Sequence, residues 1–150
     1  MVKNLIQINE ICLHYKRPHV SKLPKLVYTS DIINYLFEVI DKNIIDVKEY
    51  CWVALLTSSN YLLGISEISS GNISRCSLSI REIIQLSLVS NAVKIIVLHN
   101  HPNGDASPST SDIEMTKKLS FAINLFEMVL EDHIILTSET YISMKEKNMI

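Results

Sequence analysis

Residues 50–57, YCWVALLT, limit the fold more than any other stretch of the chain. Seven or eight residues of this kind, apolar almost without a break, read as a β-strand. A strand without polar alternation has no face for solvent, so both faces of its sheet must be covered. The chain of 150 residues is long enough for one such layered domain, and 47% hydrophobic residues are enough to fill its core. With 20% charged residues, that composition excludes an intrinsically disordered chain. Four Pro and three Gly exclude a linker-rich or collagen-like one.

Other elements follow from periodicity and punctuation. Residues 61–68 (YLLGISEI) pair with the first run as a hairpin around Ser58–Asn60. Residues 5–15 (LIQINEICLHY) alternate loosely and read as a strand, and the charged, proline-containing KRPHVSKLPK after them as a loop. Thr29 or Ser30 is positioned to cap a helix over about 31–42, with Ile32, Ile33, Leu36, Phe37 and Ile40 on one face. Ser79 and Glu82 have capping-box spacing and open a helix to about Asn91. Residues 93–98 (VKIIVL) form a short β-branched strand, a helix follows over about Thr110 to Phe126, and 128–136 and 141–144 are two more strands. The order β-α-β-β-α-β-α-β-β predicts a mixed sheet sandwiched by helices, an α/β fold in one domain.

A net charge of −2 does not describe a strongly basic nucleic-acid protein. The charge is uneven: residues 1–30 carry +4 and the remainder −6. Residues 1–28 therefore read as a strand and a basic loop arm, a solvated segment with scope for a weak nucleic-acid contact. Cys12, Cys51 and Cys76 are odd in number and lack C-x-x-C spacing, which argues against a disulfide framework or a cysteine zinc site. The N-terminus lacks the apolar core of a signal peptide and no apolar run is long enough to span a bilayer, so the expected location is the cytoplasm, away from membranes.

Chemistry concentrates in His99-Asn-His101-Pro-Asn-Gly-Asp-Ala-Ser-Pro-Ser109-Thr-Ser-Asp112. Two histidines at i and i+2 after a strand point to one face, with Cα atoms about 6.6 Å apart if the strand continues. Pro102 and Gly104 turn the chain, and Ser109 and Asp112 return it at the start of the next helix. Two imidazoles and one carboxylate suit a tetrahedral Zn²⁺ with one position left for water. Ser109-x-x-Asp112 is also an ordinary helix start, and capping and ligation are compatible at a helix mouth.

The same residues carry a resemblance. His99-x-His101, then Ser109 after seven intervening residues and Asp112 after two more, resembles the JAMM (MPN+) motif of JAB-domain metalloproteases. The stretch HNHPNGDASPSTSDI looks most like the RadC-like branch, whose members are often labelled DNA repair proteins. Glu10 to Tyr15, Glu49 with Val53 to Leu56, Leu63 to Ser69, Arg81 to Ile84 and Asp132 to Ile135 fall in the order seen in short RadC-like proteins, so the likeness covers nearly the whole chain. It implies a JAB/MPN fold of cytidine-deaminase-like architecture, with 29–150 as the core that holds the motif.

It further implies a zinc-dependent hydrolase, a metallopeptidase or isopeptidase acting on a peptide or protein substrate. His99, His101 and Asp112 would be the zinc ligands, and Ser109 would support the oxyanion and orient its neighbours. The family's general base is a glutamate on an earlier strand. Glu49, just before YCWVALLT, matches that position; Glu67, in the second hairpin strand, is the other candidate. Asn100 faces away from both histidines and receives no catalytic role, and His133 is read as structural.

Two departures stand out. Full-length relatives carry an N-terminal helix-hairpin-helix region for which this chain has no room, which weakens a direct DNA-binding role. Longer relatives often have Asp where Thr57 stands. The rival functional class is a JAB-fold binding or scaffold module without turnover, associated with DNA repair or mobile elements. Other zinc enzymes fit poorly: deaminases need H-x-E with a later P-C-x-x-C, and H-E-x-x-H is absent. An HNH-type nuclease needs its Asp-His strand before the Asn-His elements, the reverse of the order here.

Overall fold

The computed structural model describes residues 15–71 and 78–150. All but the last residue of the strand expected over 5–15 lies outside them, as do Cys12 and Cys76. Three helices are described, α1 (Thr29–Val39), α2 (Ile80–Ser90) and α3 (Thr110–Asn124). Five strands accompany them: β1 (Tyr50–Leu56), β2 (Leu62–Ser70), β3 (Lys94–Asn100), β4 (Val129–Leu136) and β5 (Tyr141–Ser143).

The strands form one mixed sheet in the order β2-β1-β3-β4-β5. Only β3 and β4 run parallel, and α3 makes the crossover that parallel neighbours require. The hairpin β1–β2 turns through Thr57–Asn60, where Asn60 takes a left-handed backbone (φ 65°) and the Thr57 hydroxyl accepts from the Tyr61 amide at 3.1 Å.

Period-2 alternation sorts the sheet residues between two cores. Trp52, Ala54 and Leu56 of β1, with Ile96, Leu98, Ile134 and Leu136, pack on Ile32, Ile33 and Leu36 of α1. Cys51, Val53 and Leu55, with Ile95 and Val97, pack on Ile83 of α2 and Leu119 and Ile123 of α3. The unbroken apolar run of β1 thus meets helices on both faces, as its composition requires. Each fully buried side chain of this size contributes about 1.5–3 kcal/mol relative to exposure.

Two helix starts follow the sequence and one does not. Ser79 caps α2, its hydroxyl accepting from the Glu82 amide at 3.3 Å. Ser109 caps α3. Helix α1 begins at Thr29, so neither Thr29 nor Ser30 is its cap. The Asp31 carboxylate does that work, accepting from the amides of Val27 (2.7 Å) and Tyr28 (2.8 Å). Those two bonds also hold the Asp31 pKa below the usual carboxylate range. The helix ends at Val39, because Ile40 is already extended (φ −112°, ψ 155°).

Candidate metal centre

Strand β3 ends at Asn100, so His99 is its penultimate residue and His101 its first residue beyond. His99 continues the odd-numbered side of β3, the face covered by α2 and α3. After His101 the chain reverses through Gly104 (φ +83°), a conformation that suits residues without a Cβ, with the Gly104 amide donating to the His101 carbonyl at 3.2 Å. Helix α3 then starts over the end of β3.

At that start Ser109 and Asp112 form a reciprocal capping box. The Asp112 amide donates to Ser109 Oγ at 3.2 Å, and the Ser109 amide donates to Asp112 Oδ2 at 2.7 Å. The Ser109 hydroxyl donates to the same Oδ2 at 2.6 Å. These bonds leave Asp112 Oδ1 facing His99 Nε2 at 3.4 Å. His101 Nε2 lies 3.5 Å from Oδ2 and 2.9 Å from His99 Nε2. Ligand atoms of His99, His101 and Asp112 all lie within 4.8 Å of one another.

Burial would raise the Asp112 pKa, but hydrogen bonding with His101 and His99 outweighs it and holds the carboxyl far below the usual range. Asp112 is therefore anionic. The same contact raises the His101 pKa against the opposing effect of burial, with smaller contributions from the Asp105 carbonyl and the charge of Glu49.

The hydrogen bonds behind the histidines decide which ring nitrogens carry hydrogens. His101 Nδ1 lies 2.7 Å from the Asp105 carbonyl, which only accepts, so Nδ1 bears the hydrogen. On the other side a chain runs through the core. Thr116 Oγ1 donates to the Asp112 carbonyl at 2.6 Å, its single hydrogen then being committed. It also lies 2.6 Å from His133 Nδ1, which must donate to it. Burial, with repulsion from His99 added, pushes the His133 pKa down to about 3, so this ring is neutral and its Nε2 accepts. His99 Nδ1, 2.8 Å away, donates to that Nε2.

With Nδ1 of each ring donating outward, the Nε2 atoms of His99 and His101 face each other and the anionic carboxylate of Asp112. In the neutral rings these two nitrogens are lone pairs, and two imidazoles with one carboxylate are a donor set that zinc takes. The residues present fit the metal.

Glu49 directly precedes β1 and is half-buried. In the antiparallel pairing of β1 with β3, Cys51 lies opposite His99. Continuing that register two residues sets Glu49 opposite His101, and its carboxylate is near enough to raise the His101 pKa. Glu67 lies elsewhere. It pairs with Trp52, on the face that packs against α1, and is exposed.

Three residues near the cluster carry more than their sequence reading assigned. His133 is within the network, hydrogen-bonded to His99. Thr116 anchors His133; its only sequence signal is its place one helical turn after Asp112. Asn100 faces the other side of the sheet, as alternation requires, and is fully buried among backbone groups. A polar residue in an otherwise apolar strand end is the signal that could have found it.

A mixed sheet with an H-x-H at the end of its central strand, and an acidic residue at the N-terminus of the crossover helix, defines an α/β domain of JAB type. The model of the RadC-like JAB domain matches residues 27–149, a span that includes Glu49, His99, His101 and Asp112. The chain belongs to the RadC-like JAB domain family. It is 37% identical over 103 residues to a UPF0758 protein of Desulfitobacterium hafniense, covering 69% of this chain and 45% of the relative. A UPF0758 protein of Alkaliphilus metalliredigens is 39% identical over 103 residues, covering 69% and 44%. One of Neisseria gonorrhoeae is 38% identical over 96 residues, covering 64% and 43%. The chain thus matches less than half the length of these relatives. No helix among the described residues is long and apolar enough to cross a membrane.

Proposed function

We propose that this domain is a zinc-dependent hydrolase of JAMM type that cleaves a peptide or isopeptide bond. The observation that supports it most is the convergence of His99, His101 and Asp112 ligand atoms within 4.8 Å, with Glu49 close enough for its charge to act on His101. His99, His101 and Asp112 would hold the zinc ion. When bound, the ion supplies Lewis acidity, polarising a carbonyl and bringing the pKa of a water toward about 7.

The chain's own residues do the rest. Glu49 takes the proton of the attacking water and returns it to the leaving amine. Ser109 fixes the carboxylate of Asp112 through its amide and hydroxyl. Its hydroxyl serves as an oxyanion donor only by leaving Asp112, so positioning Asp112 is its primary task. His133 and Thr116 keep the hydrogen of His99 on Nδ1. The basic residues Lys16, Arg17, Lys22 and Lys25 have no part in this chemistry; a weak contact of this arm with nucleic acid is a separate proposal.

The test is Glu49→Gln in a zinc-loaded protein, assayed on a panel of peptide and lysine-linked isopeptide probes. The variant is expected to keep stoichiometric zinc and to lose hydrolysis by about 10²–10⁴-fold. Hydrolysis at the wild-type rate removes Glu49 as the base. Full zinc occupancy without cleavage of any probe by the wild type favours a JAB-fold binding module instead.

A further inference from the structure

The two face-defining histidines flank a residue that points the other way, and its surroundings are unusual for a side chain. Asn100 is fully buried. Its Oδ1 accepts from the Tyr50 amide at 2.7 Å. Its Nδ2 donates to the carbonyls of Ile45 (2.6 Å) and Lys48 (2.8 Å). All three partners are backbone groups of the segment that leads into β1, and they bracket Glu49, with Lys48 before it and Tyr50 after it. The Glu49 carbonyl is tied in a third direction, accepting from the Gly71 amide at 2.9 Å.

An asparagine amide offers one acceptor and two donors in this geometry, and here all three functions are used. No hydrocarbon of the same size satisfies Tyr50 N–H and two carbonyls in a dry interior. The segment 45–49 is irregular, lying between a short 3₁₀ turn (Lys42–Ile44) and β1. Besides the Asn100 bonds, its backbone is held by the turn bonds of the Ile45 amide to Lys42 and the Val47 amide to Ile44, and by the Gly71 amide on the Glu49 carbonyl.

We propose that Asn100 is a positioning residue that clamps the Ile45–Tyr50 segment and so holds the Glu49 carboxylate against the His99–His101–Asp112 cluster. This rests on the reading of Glu49 given above. It joins the two functions through one strand: alternate residues of 99–101 serve the metal on one side and place the base on the other.

The clamp is tested in two arms, with Zn²⁺ alone as the ligand. In the first, amide hydrogen exchange is followed in wild type and Asn100→Ser without metal. Faster exchange confined to residues 46–50 is expected, and wild-type exchange there overturns the clamp. In the second, Zn²⁺ affinity is measured by competition titration for wild type, Asn100→Ser, Glu49→Gln and the double variant. Removing a carboxylate beside the cation weakens binding about tenfold. Asn100→Ser is expected to match that loss, and the double variant to be no weaker than either single one. Additive losses, or wild-type affinity in Asn100→Ser, overturn the role through Glu49. Wild-type affinity in Glu49→Gln, or no Zn²⁺ binding by the wild type, instead refutes the reading of Glu49 and leaves the first arm to decide the clamp. If Asn100→Ser does not fold, Asn100→Asp, which keeps the acceptor for Tyr50 N–H, goes through the same measurements.

Discussion

Replacing Thr116 with valine removes one hydroxyl at nearly constant volume. Thr116 is buried, as is His133, so neither loss is made good by water. The Thr116 hydroxyl is the acceptor for His133 Nδ1–H at 2.6 Å. In the valine variant His133 has two choices. It keeps its hydrogen on Nδ1, where it finds no acceptor, at a cost of about 1–3 kcal/mol. Alternatively it moves the hydrogen to Nε2, which obliges His99 Nδ1 to accept and shifts the His99 hydrogen to Nε2. That second state has no lone pair for a metal. Zinc binding must then restore the first state, so the cost falls on affinity. At about 1.4 kcal/mol per factor of ten, the Zn²⁺ Kd rises by roughly 5- to 150-fold. Competition titration against a chelator of known affinity reads this directly, with thermal unfolding of the metal-free protein as the folding control. Thr116→Ser keeps the hydroxyl and is expected to bind nearly as wild type. Wild-type affinity in Thr116→Val, or a serine variant as weak as the valine one, refutes the hydrogen-bond chain as the device that sets the His99 tautomer.

Two further outcomes concern stability. Ser79→Ala removes the α2 cap; since its bond to the Glu82 amide is long at 3.3 Å, the loss is expected near the lower end of the usual range, about 0.5–1 kcal/mol, read as a lower denaturation midpoint at unchanged slope. Glu131 bridges Lys94 at 3.2 Å and Lys145. Burial raises its pKa, but the two lysines outweigh that and hold it below 4.5. A carboxyl with a lowered folded pKa contributes stability that is complete above about 4.5 and is lost as pH falls through the folded value. Glu131→Gln is therefore expected to lower the melting temperature at neutral pH and to flatten its acid decline. An unchanged acid limb in that variant assigns the decline to other carboxylates.

How far the fold was legible depended on whether the deciding interaction was local. Strands β1 and β3 were legible because their burial is written in continuous apolar runs, β4 from the apolar residues on either side of Glu131–His133, and α2 and α3 because Ser79 and Ser109 sit at cap positions with an acid three residues on. The start of α1 differs from the pattern of its sequence because no capping hydroxyl of Thr29 or Ser30 is used. The acceptor is instead the carboxylate of Asp31, which reaches backward to Val27 and Tyr28. The helix also stops short of residue 42, because Ile40 turns extended while still packing on the α1-side core. In the cluster, the facing of His99 and His101 follows from period 2, and the return of Asp112 from the turn and cap. The preference for Glu49 over Glu67 came from the family resemblance, and a β-bulge between Cys51 and Trp52 makes the face that Glu67 occupies hard to read from β2 alone. His133 and Thr116 were opaque for a different reason. Their roles exist only once the parallel pairing sets His133 beside Val97 and the crossover helix lays Thr116 over it.

The charge balance of the cluster links these observations. The fixed charge there is negative: that of Asp112 in the cluster, with that of Glu49 acting on His101 from nearby. Helix α3 offsets part of this, since its N-terminus and the Ser109 amide face the Asp112 carboxylate. What remains is negative charge held partly out of water, an arrangement that costs free energy unless a cation or a proton comes to it. The raised His101 pKa is the protein's response without metal, because a proton on that imidazole is the nearest available positive charge. A divalent cation held by His99, His101 and Asp112 would offset that charge and take a lone pair from each Nε2 at once. The Asp105 carbonyl and the His133–Thr116 chain matter for the same reason. By taking the Nδ1 hydrogens outward, they turn both Nε2 atoms toward the Asp112 carboxylate, where a proton or a metal ion can be held.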